Sequence, residues 1–555
     1  MTSGQADPGP SVGALLAQAF ALHQQGRLAE ARQAYDAVLA REPDHAEALH
    51  LSGVIGFQTG QVEQGLELVR RAIAINPGAA GPYANIGEAL NRIGRHAEAA
   101  EALTRAVTLD PGLARAHGQL GMALLELGRD QTALQHLDQA LGIQPDMLDA
   151  LNARAFILRR AGRLEAALAD VARVARLAPN VAGARYNLGA LLKDLRRYDQ
   201  ALAEFDAAIA LQPQHATAHY SRAVILAELH RSTEALADFD RVIALKPDYA
   251  DAVYGRALSR LQLGDFEHGL ADFEGRKALS TPLGRRPYPE PEWLGDHDIA
   301  GKTLLLHHEQ GLGDTLMYAR YAKLAEARGA KVVLSVQAPL ERVMRTLSPT
   351  IAVIGEDQRP ERFDLHAPLM SLPLAFRTRP DAIPAEPRYL ASEDALRARW
   401  AERLPRSGRR RIGLVWASNR QNLQLAQRSI GFGPLKPLLD IEADWISLQK
   451  DPAPGEAETF EALGGLHLGG ELNDFADTAA LLDLMDLVVT VDTSVAHLAG
   501  AMGRPSLVML AFNPDWRWFL GRTDSPWYPA MRLVRQRAPG DWSGVVAELM
   551  AVLRA

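Results

Sequence analysis

Prolines recur at Pro43, Pro77, Pro111, Pro145, Pro179, Pro213 and Pro247, each 34 residues after the last. So strict a period restricts the first half of the chain to a stack of equivalent units, because a unit this small buries its apolar face only against its neighbours. Within each period a small residue stands near the middle of a first helix (Gly53, Gly87, Gly121, Ala155, Gly189, Ala223, Ala257), and others mark the second (Ala31, Gly65, Ala99, Ala133, Ala167, Ala201, Ala235, Gly269). Small side chains at fixed points let helices nest where larger ones overpack. Glycines at 26, 60, 94, 128, 162 and 264 separate the paired helices, as a left-handed cap requires, and the proline closes the unit.

The pattern, eight units over residues 12–279, resembles the tetratricopeptide repeat family, whose units form a right-handed superhelix with the first helices lining the inner wall. One inner position reads Leu51, Asn85, Gln119, Ala153, Asn187, Ser221. In related protein O-glycosyltransferases this place is an asparagine ladder holding a peptide backbone, a task suited to amides because each offers a donor and an acceptor. The resemblance implies an acceptor-binding role for Asn85, Gln119 and Asn187; solvated polar positions are the alternative.

After the proline-rich stretch FEGRKALSTPLGRRPYPEPEW the pattern changes. Apolar runs (KTLLLH, AKVVLSVQ, IAVIG, then RIGLVWAS, DWISLQK, GLHLGG, LVVTVD, SLVMLA) alternate with helical stretches, which predicts two parallel α/β halves in tandem. The expected organisation is a tail (1–11), the solenoid (12–279), a linker (280–300), an acceptor-side half (301–405) and a nucleotide-side half (406–555). The site is expected in the cleft where both sheets present their carboxyl ends.

EQGLGDTLMYARY puts a glycine turn, Gly311 to Gly313, before a helix that begins near Asp314; LVVTVDTSVAHLAGAMGRPSLVML puts Asp492, Thr493 and Ser494 directly after a buried strand, with His497 one helical turn on. Together, in this order, the two segments resemble glycosyltransferase family 9 (heptosyltransferase-like), and with the repeats the chain resembles bacterial tetratricopeptide-linked glycosyltransferases. The resemblance implies an α plus α/β multidomain chain, an all-α superhelix followed by a GT-B pair of Rossmann-like halves. It also implies Asp314 as general base, inversion at the anomeric carbon, and a diphosphate stabilised without metal by Gly313, Thr493, Ser494, His497 and Arg428. Asp492 is expected on a ribose or sugar hydroxyl, or as a helix cap; Trp416 and Gln449 line the nucleotide pocket or pack. The loop WASNRQNLQLAQRS departs from the family's cationic loop, with Ala417 and Ser418 near its start.

Other features compete with this reading. Trp516, Trp518, Trp527 and Tyr528, with Arg517 and Arg522, suit stacking on a sugar or base, or a clasp between the halves. Asp296 and Asp298 form a D-x-D, which turn chemistry explains in a linker. His307, His308 and Glu309 lack a third partner at metal spacing.

With 60 Lys+Arg against 67 Asp+Glu, the net charge of −7 gives no basic field for nucleic acid. The absence of cysteine excludes thiol nucleophiles and Cys-ligated metals and fits a reducing compartment. Taken with the composition, the resemblance implies a cytoplasmic, metal-independent, cofactor-free transferase without a transmembrane segment, acting from a nucleotide-diphosphate sugar on a protein or peptide in the repeat groove. An inactive repeat scaffold and a glycan-modifying heptosyltransferase-like enzyme are the alternatives.

Overall fold

A computed structural model describes residues 10–279, 286–418 and 428–555. Most of the expected tail, the start of the linker and residues 419–427 of the WASNRQNLQLAQRS loop lie outside them. Among the described residues no helix is long and apolar enough to cross a membrane.

The chain divides into two compact units between Ala218 and His219, so the last repeats cluster with the α/β halves. In the first unit helices of 13 and 14 residues alternate, as in Ala114–Glu126 and Asp130–Ile143. The small positions have a direct steric cause. A Cβ on Gly53, Gly87, Gly121 or Gly189 would stand 2.5, 2.4, 2.6 or 2.8 Å from Val69, Leu103, Leu137 or Phe205 respectively, each sixteen residues further on.

Positive φ angles of +71° to +86° at Gly26, Gly60, Gly94, Gly128, Gly162 and Gly264 form the inter-helix turns. Where the period has no glycine, Arg196 and His230 take the same turn at φ 56° and 59°, a conformation that strains a residue with a Cβ.

An ion-pair series escapes the reading of small residues. Arg154 forms a fork on Asp170 at 2.7 and 2.8 Å and also reaches Asp138 at 2.7 Å. In the second unit Arg222 grips Asp238 in the same way, at 2.7 and 2.8 Å, and Arg256 grips Asp272 at 2.8 Å while reaching Asp240 at 2.7 Å. The planar guanidinium fits a carboxylate edge with two parallel bonds, which fixes neighbouring helices in register.

Two parallel sheets follow. The first, of strands β1 (Thr303–His307), β2 (Lys331–Val336), β3 (Ala352–Gly355) and β4 (Leu365–Pro368), runs in the order β3-β2-β1-β4. The second has β5 (Arg411–Val415), β6 (Asp444–Ser447), β7 (Leu466–His467), β8 (Leu487–Val491), β9 (Ser506–Leu510) and β10 (Met531–Arg535) in the order β10-β9-β8-β5-β6-β7. Both are doubly wound, with the strand order reversing between β1 and β4 and between β5 and β8, where such sheets open a crevice at their carboxyl ends. Strands β4 and β10 were not foreseen by the apolar alternation: LHAP is short and ends in proline, and Arg532 and Arg535 interrupt MRLVR.

One continuous apolar cluster joins Phe266, Leu270 and Phe273 of the last repeat to Leu304 and Leu306 of β1, Leu498 near the second sheet, and Trp516, Trp518 and Trp527. The last repeat and both halves therefore share a core.

Two substitutions test the repeat geometry. Gly121→Leu is expected to lower stability by about 1–3 kcal/mol through overpacking on Leu137. Arg196→Gly, at an exposed strained turn, is expected to raise it by about 0.5–1 kcal/mol. Equilibrium urea unfolding followed by circular dichroism measures both.

Candidate functional site

The loop after β1 turns at Gly311 into the helix Leu312–Tyr318. Asp314 stands in its first turn, where Oδ2 accepts the Gly311 amide at 2.9 Å and a carboxylate is favoured by the helix dipole. The loop after β8 turns at Asp492 into the helix Ser494–Ala501, whose N-cap residue Thr493 makes no side-chain capping bond. The two helix tips meet at Gly313: a Cβ there would lie 2.8 Å from the His497 ring and 3.6 Å from the Ser494 Cα. The gap expected between these tips is closed at this point, because glycine lets the helices touch directly. Gly313 thus has a packing role; the resemblance implied one in donor binding.

Around this contact lies a buried charge cluster. Arg517 donates to Asp314 Oδ1 at 2.5 Å and to the Tyr318 hydroxyl at 3.0 Å, and pairs with Asp515 at 2.8 Å. Arg428 pairs with Asp492 at 3.0 Å and Asp515 at 3.5 Å, and is the more open of the two guanidiniums at 32% against 9%. The cluster is therefore sealed at Arg517 and reaches solvent at Arg428.

Burial pushes the Asp314 carboxyl above the ordinary aspartate range against the pull of Arg517. Asp492 is raised by burial in the same way, with Arg428 opposing. For Asp515 burial acts upward too, but Arg517 and Arg428 more than offset it and hold the carboxyl below its usual range. His497 is buried, stacks on Trp518 at 5.4 Å and shares a 2.9 Å hydrogen bond with the Tyr528 hydroxyl. Burial, reinforced by Arg517, lowers its pKa to about 3. A neutral imidazole there offers a hydrogen bond in place of a proton.

The remaining expected residues divide. Thr493 and Ser494 are half-buried at the uncapped tip. Trp416 is fully buried, stacks against Phe432 and Phe460 at 5.2 and 5.9 Å, and donates its indole N–H to Glu456 at 2.9 Å. Of the two readings left open for it, packing is the one its side chain takes. Gln449 is also buried and accepts the amides of Trp416 and Ala417 at 3.1 and 2.9 Å, which braces the carboxyl end of β5.

In the first unit the Asn85 amide is 2.8 Å from His50 Nε2, and Gln119 accepts from Asn91 at 2.9 Å through its carbonyl and 3.1 Å through its side chain. Asn187 is exposed. Two of the three ladder amides are thus engaged inside the chain. Asp296 and Asp298 accept the amides of Leu294 and Ala300 at 3.4 and 3.0 Å, which is turn chemistry.

The aromatic segment is a clasp of wider reach than the two halves. Trp516 meets Phe266 of the last repeat at 5.7 Å, and Phe519, strained at φ 53°, stacks on the same ring at 5.8 Å. Arg320 reaches the carbonyls of Trp527 and Pro384 at 2.8 and 3.0 Å and lies 4.7 Å over the Tyr528 ring. Sequence reading noted Arg517 among these aromatics and gave no role to Asp515 or Tyr318. Tyr318 meets Arg517 across 199 residues and Asp515 meets Arg428 across a long stretch of chain, so no local pattern marks their roles. Arg522, by contrast, is exposed on Asp524.

Comparison with known proteins gives two family matches. Residues 16–80, 84–147, 119–182, 186–250 and 228–275 match the tetratricopeptide repeat, and residues 455–516 match glycosyltransferase family 9 (heptosyltransferase). The second match contains Asp492, Ser494, His497 and Asp515 but not Asp314. Protein FlbA of Caulobacter vibrioides is 30% identical over 295 residues, 48% of either chain, so the match spans about half of that relative's length. Among solved structures, YrrB, a TPR protein with an unusual peptide-binding site, is 26% identical, with 35% of this chain and 100% of that one covered and a TM-score of 0.33. PilF of Pseudomonas aeruginosa is 20% identical, with 36% and 92% covered and a TM-score of 0.34. The chain is a run of tetratricopeptide repeats followed by two α/β halves, the second of which carries a glycosyltransferase family 9 match over residues 455–516.

Removing Arg517 tests the charge cluster. Arg517→Gln leaves Asp314 without its guanidinium and is expected to cost about 3–5 kcal/mol near neutral pH. Carboxylates whose folded pKa lies above the unfolded value bind protons more tightly when folded, so the deficit against wild type narrows as pH falls from 7 toward 5. Urea titrations of both proteins at several pH values read this out.

Proposed function

From a tetratricopeptide solenoid joined to a glycosyltransferase family 9 match, we propose that the protein is an inverting transferase moving a sugar from a nucleotide-diphosphate donor to a protein hydroxyl. The observation that carries this reading is the contact, at Gly313, between the helix that bears Asp314 and the uncapped helix tip at Ser494, at the switch points of two doubly wound sheets.

In this reading the acceptor oxygen attacks the anomeric carbon from the face opposite the leaving group. Its proton passes to Asp314, the new C–O bond forms as the bond to the diphosphate breaks, and the electron pair leaves with the phosphate. Burial makes Asp314 a stronger base than a solvated aspartate, while Arg517 pulls the other way and favours its ionised form. The first-turn amides at Ser494 and the partly open Arg428 receive the departing charge without a metal. Asp492 holds Arg428 in place, and Gln449 fixes the loop opposite. The lack of cysteine supports placing the reaction in the cytosol.

A glycan acceptor is the second reading, and the engagement of Asn85 and Gln119 within the chain favours it over a peptide gripped by a full amide ladder.

Asp314→Asn keeps an oxygen for the Gly311 amide and removes the base. Transfer is expected to fall by about 10²–10⁴-fold, with the thermal shift induced by the nucleotide sugar unchanged. In the wild type the rate is expected to decline on the acid side at a pH above the ordinary aspartate range, because the base works only when deprotonated. A panel of uridine, guanosine, adenosine and cytidine diphospho-sugars identifies the donor by thermal shift. Full turnover by Asp314→Asn would remove the mechanism, and no response to any donor would favour a scaffold.

A further inference from the structure

The series Tyr186, Tyr220, Tyr254 repeats at the 34-residue period, one residue before the inner-wall position. Its first two members are covered by an aromatic ring from further along the chain: Tyr186 by His215 at 5.1 Å and Tyr220 by Tyr249 at 5.2 Å. The equivalent residue for Tyr254 in the sequence is Leu283, which is not aromatic.

Tyr254 lies on the helix Ala250–Gln262 of the last repeat, which packs on the turn Trp516–Trp518 bearing Arg517. That docking is reinforced where Gln262 donates to Asn513 at 3.2 Å. The Tyr254 ring stacks on Phe273 at 5.7 Å, and Phe273 in turn meets the edge of Trp516 at 6.1 Å.

The Arg276 guanidinium lies 4.9 Å over the other partner of this stack, Phe273, and bonds Glu309 and Ser371 at 2.7 Å. Glu309 belongs to the same loop as Asp314. Through Phe273 and the Trp516–Trp518 turn the phenol is close enough to Arg276, Asp314, Arg517 and Asp515 to feel their charges. Burial, then Asp515, raises its pKa, so it stays protonated as a donor, and Asp314, Arg517 and Arg276 also act on it. Its hydroxyl has no hydrogen-bond partner among the described residues. A half-buried phenol near these charged groups and without a bond to the chain is free to donate to a ligand.

Resting on the transfer reading above, we infer that the last repeat supplies a residue of the transfer site: the Tyr254 hydroxyl donates to the acceptor beside Asp314 and sets where its attacking oxygen lies. The repeats then serve the reaction directly, in addition to gathering the acceptor.

The test uses the full chain as wild type, Tyr254→Phe and Tyr254→Ala. Phenylalanine keeps the stack on Phe273 and removes only the hydroxyl. With the donor found in the diphospho-sugar panel and a serine/threonine peptide library as acceptor, Tyr254→Phe is expected to lower kcat/KM for the acceptor about ten- to a hundredfold. The melting temperature, the donor-induced thermal shift and the slow hydrolysis of donor by water are expected to stay at wild-type values. Wild-type transfer by Tyr254→Phe overturns the inference, as does an equal loss of hydrolysis and transfer, since that marks a packing role. If the wild type transfers no sugar from any donor, the transferase reading itself falls and takes this one with it.

Discussion

Arg517 forms hydrogen bonds or ion pairs with Asp314, Asp515 and Tyr318 in a largely buried cluster, and much of the second unit is arranged to make that arrangement tolerable. Removing a guanidinium and two carboxylates from water is costly, and Coulombic attraction offsets the cost only when geometry is close and the remaining polar atoms are paired. The Trp516–Trp518 turn is capped by the Asp515 side chain, which accepts the Arg517 amide at 3.1 Å, so the arginine is held by its backbone as well as its head group. Helix docking from the last repeat and the aromatic clasp then exclude water from one side, while Arg428 leaves the other side wet.

The contact between the helix tips follows from the same economy of space. A side chain on Gly313 would strike His497, and a charged imidazole there would face Arg517 and Arg320. A neutral histidine flat against Trp518 satisfies both conditions. The two tips meet by shape at Gly313, and the chemistry around them is set by how unequally the two guanidiniums are exposed.

The period of 34 and its small residues make the solenoid legible, because each unit meets the same neighbours and so repeats the same steric demand. Parallel strands were legible where apolar runs are long, as in LVVTV, and illegible where proline or arginine breaks them, as in β4 and β10. Asp314 and Ser494 could be singled out because turn and helix-start chemistry is local. Arg517 and Tyr318 could not, since their meaning comes from partners about two hundred residues away, and Asp515 takes its meaning from the distant Arg428 as well as from Arg517. Trp416 and Gln449 stand at the correct strand ends, but a strand end does not reveal whether a side chain faces the crevice or the core. The amide series Asn85, Gln119, Asn187 shows the same limit: spacing gives the place, and only the neighbours His50 and Asn91 reveal that two of the amides already have partners.

The division between Ala218 and His219 bears on how such a chain can change over generations. Repeats before it are bounded by nearest-neighbour packing, so duplication or loss of a whole period there alters reach while sparing the chemistry. After it, the last repeat shares a core with the α/β halves through Phe266 and Phe273 and is committed to that role. Recombination should therefore lengthen or shorten this protein from its amino-terminal side, leaving the final two periods inherited together with the transferase halves.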